Sequence, residues 1–371
     1  MRKPTVFLVA ALVVASGAHA QPIQTDRLSA EYLDVVPPSA RVAGIPGEMR
    51  ITDRSCRATR GAELRRRIVD VAVQEWGFFG FPVLDETNIV DSERPRRRSS
   101  RRHAVLDPEE SERVADSIAG YWSITPDGRW ILSRQNEIWK GHTGVAARWR
   151  DPWSAAFISW VMCEGGLGDR SQFRRAIAHH AYIDQAIEAR DTDTSQSAYI
   201  AYDVGEMPIE PGDLLCFSRR PKYGSLAERR RELGTGIRSH CDIVIKLDPA
   251  NERILGIGGN VRGAVRMKLL PAVFDEQQAT HGAVETVSRG RRAVFAHLKL
   301  RADSIGADAL ETSPTIQALR KQNDALAWLR QQLKDENSIR FETVSRSALP
   351  VSTDTDPIRT ARVGAAHGRD R

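Results

Sequence analysis

Ser154, His240 and Asn260 are the residues of this chain whose types and spacing suit acyl-transfer chemistry. The stretch Asp151-Pro152-Trp153-Ser154-Ala155-Ala156-Phe157-Ile158-Ser159-Trp160 reads as the capped start of a buried helix. Asp151 suits an N-cap, and Pro152 suits the first helical position, where its missing N–H costs nothing. Trp153, Phe157, Trp160 and Val161 follow at helical spacing and supply an apolar face. Ser154 is thereby predicted in the first turn, where unpaired backbone N–H groups and the positive end of the dipole favour a developing negative charge. His240 opens a strand-like run, and Asn260 ends the next one beside Gly258 and Gly259. A hydroxyl, an imidazole that takes its proton and a polar group that orients the ring are what attack by a serine requires. Strand alternation puts His240 and Asp242 on one face and Cys241 on the other, so Asp242 is a rival orienter. Cys163, nine residues after Ser154, falls about half a revolution round the helix and faces away.

The elements that must position these groups follow from periodicity. Leu64, Ile68, Val71, Ala72, Glu75 and Trp76 predict a helix over 62–79, and Asp107-Pro108 opens another to about Ala119. Trp122, Trp130, Trp139 and Trp149 lie in a stretch read as loop-rich, leading into the Ser154 helix, which Gly165-Gly166 end. A further helix is predicted over 171–189. Strands are then expected at Ser197 to Tyr202, Leu214 to Phe217, Ser239 to Ile245, Ile254 to Ile257, Val261 to Leu270 and Arg292 to Leu300, with a charged insert over 219–236. Helices followed by an antiparallel meander predict an α+β domain over 62–302. Residues 21–61 read as an extended lead-in, and 303–343 as a C-terminal helical segment with one amphipathic helix over 313–336. Residues 344–371 read as a polar, disordered tail.

Met1-Arg2-Lys3, an apolar run from Val6 to Ala15 and Ala18-His19-Ala20 have the form of a cleavable signal peptide over 1–20. The run is too short to span a bilayer comfortably, so no stable membrane span is expected once it is removed. The mature chain would start near Gln21, in a periplasm or outside the cell. The net charge is +6, of which Arg2 and Lys3 contribute two. A pI of about 9.3 in an exported protein fits attraction to anionic envelope polymers, or solubility alone. The stretch 92–104, with Arg96-Arg97-Arg98, reads as a solvated basic loop. No motif for nucleic acid is present. Four cysteines (Cys56, Cys163, Cys216, Cys241) allow three pairings in an oxidising compartment. Cys216 and Cys241 lie in runs that could be neighbouring strands, which favours that pair over four buried thiols. His179 and His180 are adjacent and share no ligand face, no Cys/His spacing matches a metal site, and no cofactor is implied.

Four motifs in order carry a resemblance. Pro152 to Trp160 is similar to the Pro-Trp-Cys-Ala-Ala-Phe-Val segment of CHAP-type amidases, the cysteine, histidine-dependent amidohydrolases/peptidases. Pro211-Gly212-Asp213-Leu214-Leu215 resembles their Pro-Gly-Asp strand. Ser239-His240-Cys241-Asp242-Ile243-Val244 resembles the strand that opens with their histidine. Gly258-Gly259-Asn260 resembles the segment that closes their site. With serine at the first position, the pattern over residues 62–302 looks closest to the bacterial domain of unknown function 2272, thought to be related to the CHAP and NlpC-type hydrolases. The resemblance implies a papain-like fold and cleavage of amide bonds in peptidoglycan stem peptides. It implies Ser154 as nucleophile, His240 as general base and acid, and Asn260 or Asp242 as orienter.

Serine departs from that pattern. A papain-like thiol works from a thiolate–imidazolium pair. A helix terminus is worth about 0.3–2 kcal/mol, and one pKa unit takes about 1.4, so no terminus brings a hydroxyl into that range. Two expectations therefore stand. One is a secreted amidohydrolase in which His240 takes the proton during attack. The other is a catalytically silent envelope-binding domain that keeps the groove and uses Trp153, Trp160 and the basic surface to hold glycan or peptide. The oligomeric state stays open.

Overall fold

The computed structural model describes residues 25–59, 61–87, 108–193, 196–220, 223–275, 284–289 and 292–327. The expected signal peptide (1–20), the basic stretch 92–104, the expected tail 344–371 and residues 328–336 of the expected C-terminal helix lie outside the described residues. The chain divides into Met1–Leu319 and Arg320–Arg371. Of the second unit, residues 320–327 are helical. No helix among the described residues is long and apolar enough to cross a membrane.

In the first unit a short hairpin of β1 (Val42–Ala43) and β2 (Arg50–Ile51) precedes α1 (Ala62–Phe78) and β3 (Val83–Asp85). Four helices follow: α2 (Pro108–Ser123), α3 (Gly128–Trp139), α4 (Ser154–Gly165) and α5 (His180–Thr192). Then come β4 (Tyr199–Tyr202), β5 (Leu214–Arg220), a short α6 (Leu226–Arg230), β6 (Arg238–Asp248), β7 (Arg253–Val261), β8 (Ala264–Phe274), β9 (Val284–Arg289), β10 (Arg292–Ala293) and β11 (Ala296–Leu300). The architecture is α+β. Among the described residues β10-β9-β8-β7-β6-β5-β11-β4 form one antiparallel sheet, and β3 joins it parallel to β8. The Arg262-Gly263 turn between β7 and β8 has both φ values positive, +54° and +86°, which matches the twist of a two-residue hairpin.

α4 packs against α1, α2, β6 and β7, and all its residues are buried. It ends where Gly166 takes φ +121° and Leu167 N–H bonds back to Met162 O at 2.9 Å, a Schellman-type stop. Residues 25–59 are bound to this helix. The buried Arg41 guanidinium pairs with Glu164 of α4 and with Asp53 at 3.0 Å, and Cys56 is disulfide-bonded to Cys163. The second disulfide joins Cys216 of β5 to Cys241 of β6. Two disulfides point to a non-cytoplasmic protein.

Three local readings are corrected. α4 begins at Ser154 with Trp153 at its N-cap and no side-chain cap, because the Asp151 carboxylate lies 3.7 Å from Arg134 instead. The Trp-rich stretch contains α3, whose buried Ile131, Leu132, Gln135, Asn136 and Trp139 recur at helical spacing. The helix expected over 171–189 starts only at His180. Upstream, side chains take the backbone groups a helix would use: Gln185 bonds to Arg174 N–H and to the Arg170 and Ser171 carbonyls, and Ser159 Oγ to Ala176 N–H and O.

Candidate functional site

Ser154, at the first position of α4, sets its Oγ 2.7 Å from Nε2 of His179, the N-cap residue of α5. The imidazole beside the serine is thus His179 and not the expected His240. His240 lies behind it, with ring centroids 5.1 Å apart. As strand alternation requires, His240 and Asp242 share a face of β6, and His240 Nε2 lies 3.0 Å from Asp242 Oδ1. Lys268 of β8 donates to both Asp242 oxygens at 2.6 Å. Asp242 is therefore the orienter of His240. Asn260 makes no hydrogen bond to either ring; it takes φ +55° where the β7–β8 pairing shifts register between Gly258 and Val261. Gly258 is needed here, since a Cβ at that position would lie 2.1 Å from Asp242 Oδ1 and 2.8 Å from His240 Nε2.

The geometry around His179 decides its chemistry. Cys216 and Cys241 face each other with Cα atoms 4.1 Å apart, as in a narrow, non-hydrogen-bonded antiparallel pair. The Cys241 N–H consequently turns away from β5 and donates to His179 Nδ1 at 3.3 Å. The Tyr182 hydroxyl, one helical turn beyond His179, bonds the same nitrogen. A backbone N–H can only donate, so Nδ1 carries the lone pair and the neutral ring holds its proton on Nε2. His179 therefore donates to Ser154 Oγ. Burial, and after it the neighbouring His240, hold the His179 pKa well below its ordinary value, so the ring stays neutral. Burial pushes the Tyr182 hydroxyl well up, so it keeps its proton as well. In this state Ser154 has no acceptor for its proton at His179. Ser154 is 9 % exposed, against 4 % for His179, 3 % for His240, 1 % for Asp242 and 0 % for Lys268, so the serine is the most exposed of these five.

The other expected site residues take structural places. Trp153 is 2 % exposed and stacks with Phe79 and Tyr121; Trp160 is fully buried against Tyr121. Neither indole forms a groove wall, because both are packed in the core. Asp213 of the Pro-Gly-Asp motif is buried and accepts from Arg65 at 2.8 Å, His297 at 2.8 Å and the Leu300 N–H at 3.0 Å. It ties α1 to β5 and β11. His179 is the site residue that sequence reasoning missed; contacts between distant segments place it, and no local spacing marks it. Among the described residues no three His, Cys, Asp or Glu side chains converge to hold a metal.

Residues 109–300 match the family described as uncharacterized protein conserved in bacteria (DUF2272), and the chain belongs to that family. No curated protein and no solved structure matches it.

Proposed function

For this member of that family, we propose an exported envelope protein, of papain-like fold and CHAP kinship, that holds peptidoglycan stem peptides at Ser154 without cutting them. The observation that carries this reading is the Cys241 N–H bond to His179 Nδ1, which leaves Ser154 without a general base. The serine hydroxyl and the N-terminus of α4 instead suit a bound carbonyl or carboxylate, and stem peptides supply both. The two disulfides and the basic balance of the chain support an envelope location. The order of the four motifs supports the kinship.

The 2.7 Å contact between Ser154 and His179 favours a second reading, a serine amidohydrolase. It requires the ring proton to move to Nδ1, with Tyr182 turning its hydroxyl to accept and the Cys241 bond given up. Incubation of the purified protein with sacculi separates the two. Binding reads out by co-sedimentation and cleavage by mass-resolved peptide release. Binding without products, weakened in Ser154→Ala, is the expected result. Products that disappear in Ser154→Ala overturn the binding reading in favour of the hydrolase.

A further inference from the structure

Beyond the far end of α4, separated from Ser154 by about 18 Å of helix, lies a cavity of 790 Å³. Its lining includes Arg54, Arg57, Arg175 and Arg301 against a single carboxylate, Asp169. We propose that this cavity is a binding site for a small polyanion, a ligand with two or more carboxylate or phosphate groups.

The arginines of the cavity differ in how far their charges are compensated. Arg57 is neutralised by Asp34, at 2.8 Å, and approaches Glu164 at 3.5 Å. Asp169 is engaged by Ser171, accepting from its N–H and its hydroxyl at 2.8 Å each. Arg54 and Arg175 are different. Arg54 donates to the Ser123 and Thr125 carbonyls at 3.0 and 2.7 Å, and Arg175 to the Leu167 and Gly168 carbonyls at 2.9 Å. Neither has a carboxylate within 4.0 Å among the described residues. Carbonyls fix the direction of a guanidinium and leave its charge uncompensated. The Arg175 Nε is moreover buried with no hydrogen-bond partner, an orphaned donor of the kind a ligand satisfies. Burial, followed by the nearby Arg170 and Arg54, lowers the Arg175 pKa.

Two further features suit an anion. Guanidinium groups match carboxylate and phosphate oxygens in pairs. The segment that carries Arg54 and Arg57 is stitched to α4 by the Cys56–Cys163 disulfide and by the Thr59 N–H bond to Gly166 O at 3.1 Å, so the site is assembled before a ligand arrives. The volume lies within the range of roughly 300–1,000 Å³ common for small-molecule sites.

Titration calorimetry of the full mature chain tests this, with citrate and inorganic pyrophosphate as separate probes for carboxylate and phosphate ligands. Saturable binding of at least one probe is expected, weakened about tenfold or more in Arg54→Gln and in Arg175→Lys. Arg230→Gln, which removes an equal charge at a distant ion pair, is expected to bind as the wild type does. Failure of both probes to saturate, or unchanged affinity in Arg54→Gln, overturns the proposal. Arg54 is exposed, so its variant reports even if the Arg175 variant does not fold.

Discussion

The backbone N–H of Cys241 points at Nδ1 of His179 across 3.3 Å, and this bond assigns the ring proton to Nε2, facing Ser154. A cross-strand disulfide thereby acts on an imidazole it does not touch. By facing Cys216, Cys241 turns its amide out of the β5–β6 ladder and toward the helix that carries the histidine.

That assignment predicts a spectrum. Long-range ¹⁵N–¹H correlation of labelled protein at pH 7 should find His179 protonated on Nε2 and bare on Nδ1. A proton on Nδ1 would restore the serine-hydrolase arrangement.

The depressed His179 pKa also has a signed consequence for stability. Below about pH 6.5 the unfolded chain binds a proton that the folded ring refuses, so folding stability falls as pH falls through that range. The slope from this residue approaches about 1.4 kcal/mol per pH unit. Urea unfolding at pH 7.5 and 5.5 should show a larger acid-side loss in wild type than in His179→Gln.

Asp70 on α1 behaves in the opposite sense. Burial raises its pKa from 3.8 to about 7, despite the opposing influence of Arg66 and Arg67. The folded state then holds a proton that the unfolded chain gives up, and stability declines as pH rises from about 4 to about 7. Asp70→Asn should stabilise the protein at pH 8 by up to about 4 kcal/mol and change little at pH 4, measured by urea midpoints.

Asp213 should prove to be an anchor and not a catalyst. Burial alone would raise its carboxyl, but the hydrogen bond from His297, with Arg65 and Lys299 nearby, holds the pKa at about 2. This stability is present above about pH 3.8 and is lost as pH falls toward 2. Asp213→Asn should cost about 3–5 kcal/mol by removing the buried carboxylate partner of Arg65, which keeps only Glu210 at 3.3 Å, with a matching fall in thermal midpoint.

Gly258→Ala tests the packing of β7 over the His240–Asp242 pair. The added methyl would overlap Asp242 Oδ1 at 2.1 Å, so a loss of about 1–3 kcal/mol is expected, together with shifted His240 ring resonances. Unshifted resonances would mean that β7 does not lie over the ring.

Much of this fold is written in local patterns. α1, α4 and the β6–β7 hairpin follow from apolar periods that tertiary packing only reinforces. The facing of His240 with Asp242 needs nothing beyond strand alternation. α3 had its helical period in Ile131, Leu132, Gln135 and Trp139, but the density of tryptophans there masked it. The place of His179 was not legible from any local rule. Its ring reaches Ser154 because side chains of α4 and α5 capture the backbone of 170–176, so that the helix begins only one residue after it. Side-chain bonds between distant segments leave no periodic trace. The burial of Trp153 and Trp160 is a similar case, since an aromatic at helical spacing looks the same whether it lines a groove or a core.

The Cys56–Cys163 link closes a covalent ring of the intervening chain, with a sequence separation of 107 residues. A protease that nicks the chain once within this ring leaves one molecule of unchanged mass apart from the added water. The cut becomes visible on a gel only after a reductant separates the pieces. Such a cut therefore leaves the N-terminal segment fastened to the helix that presents Ser154.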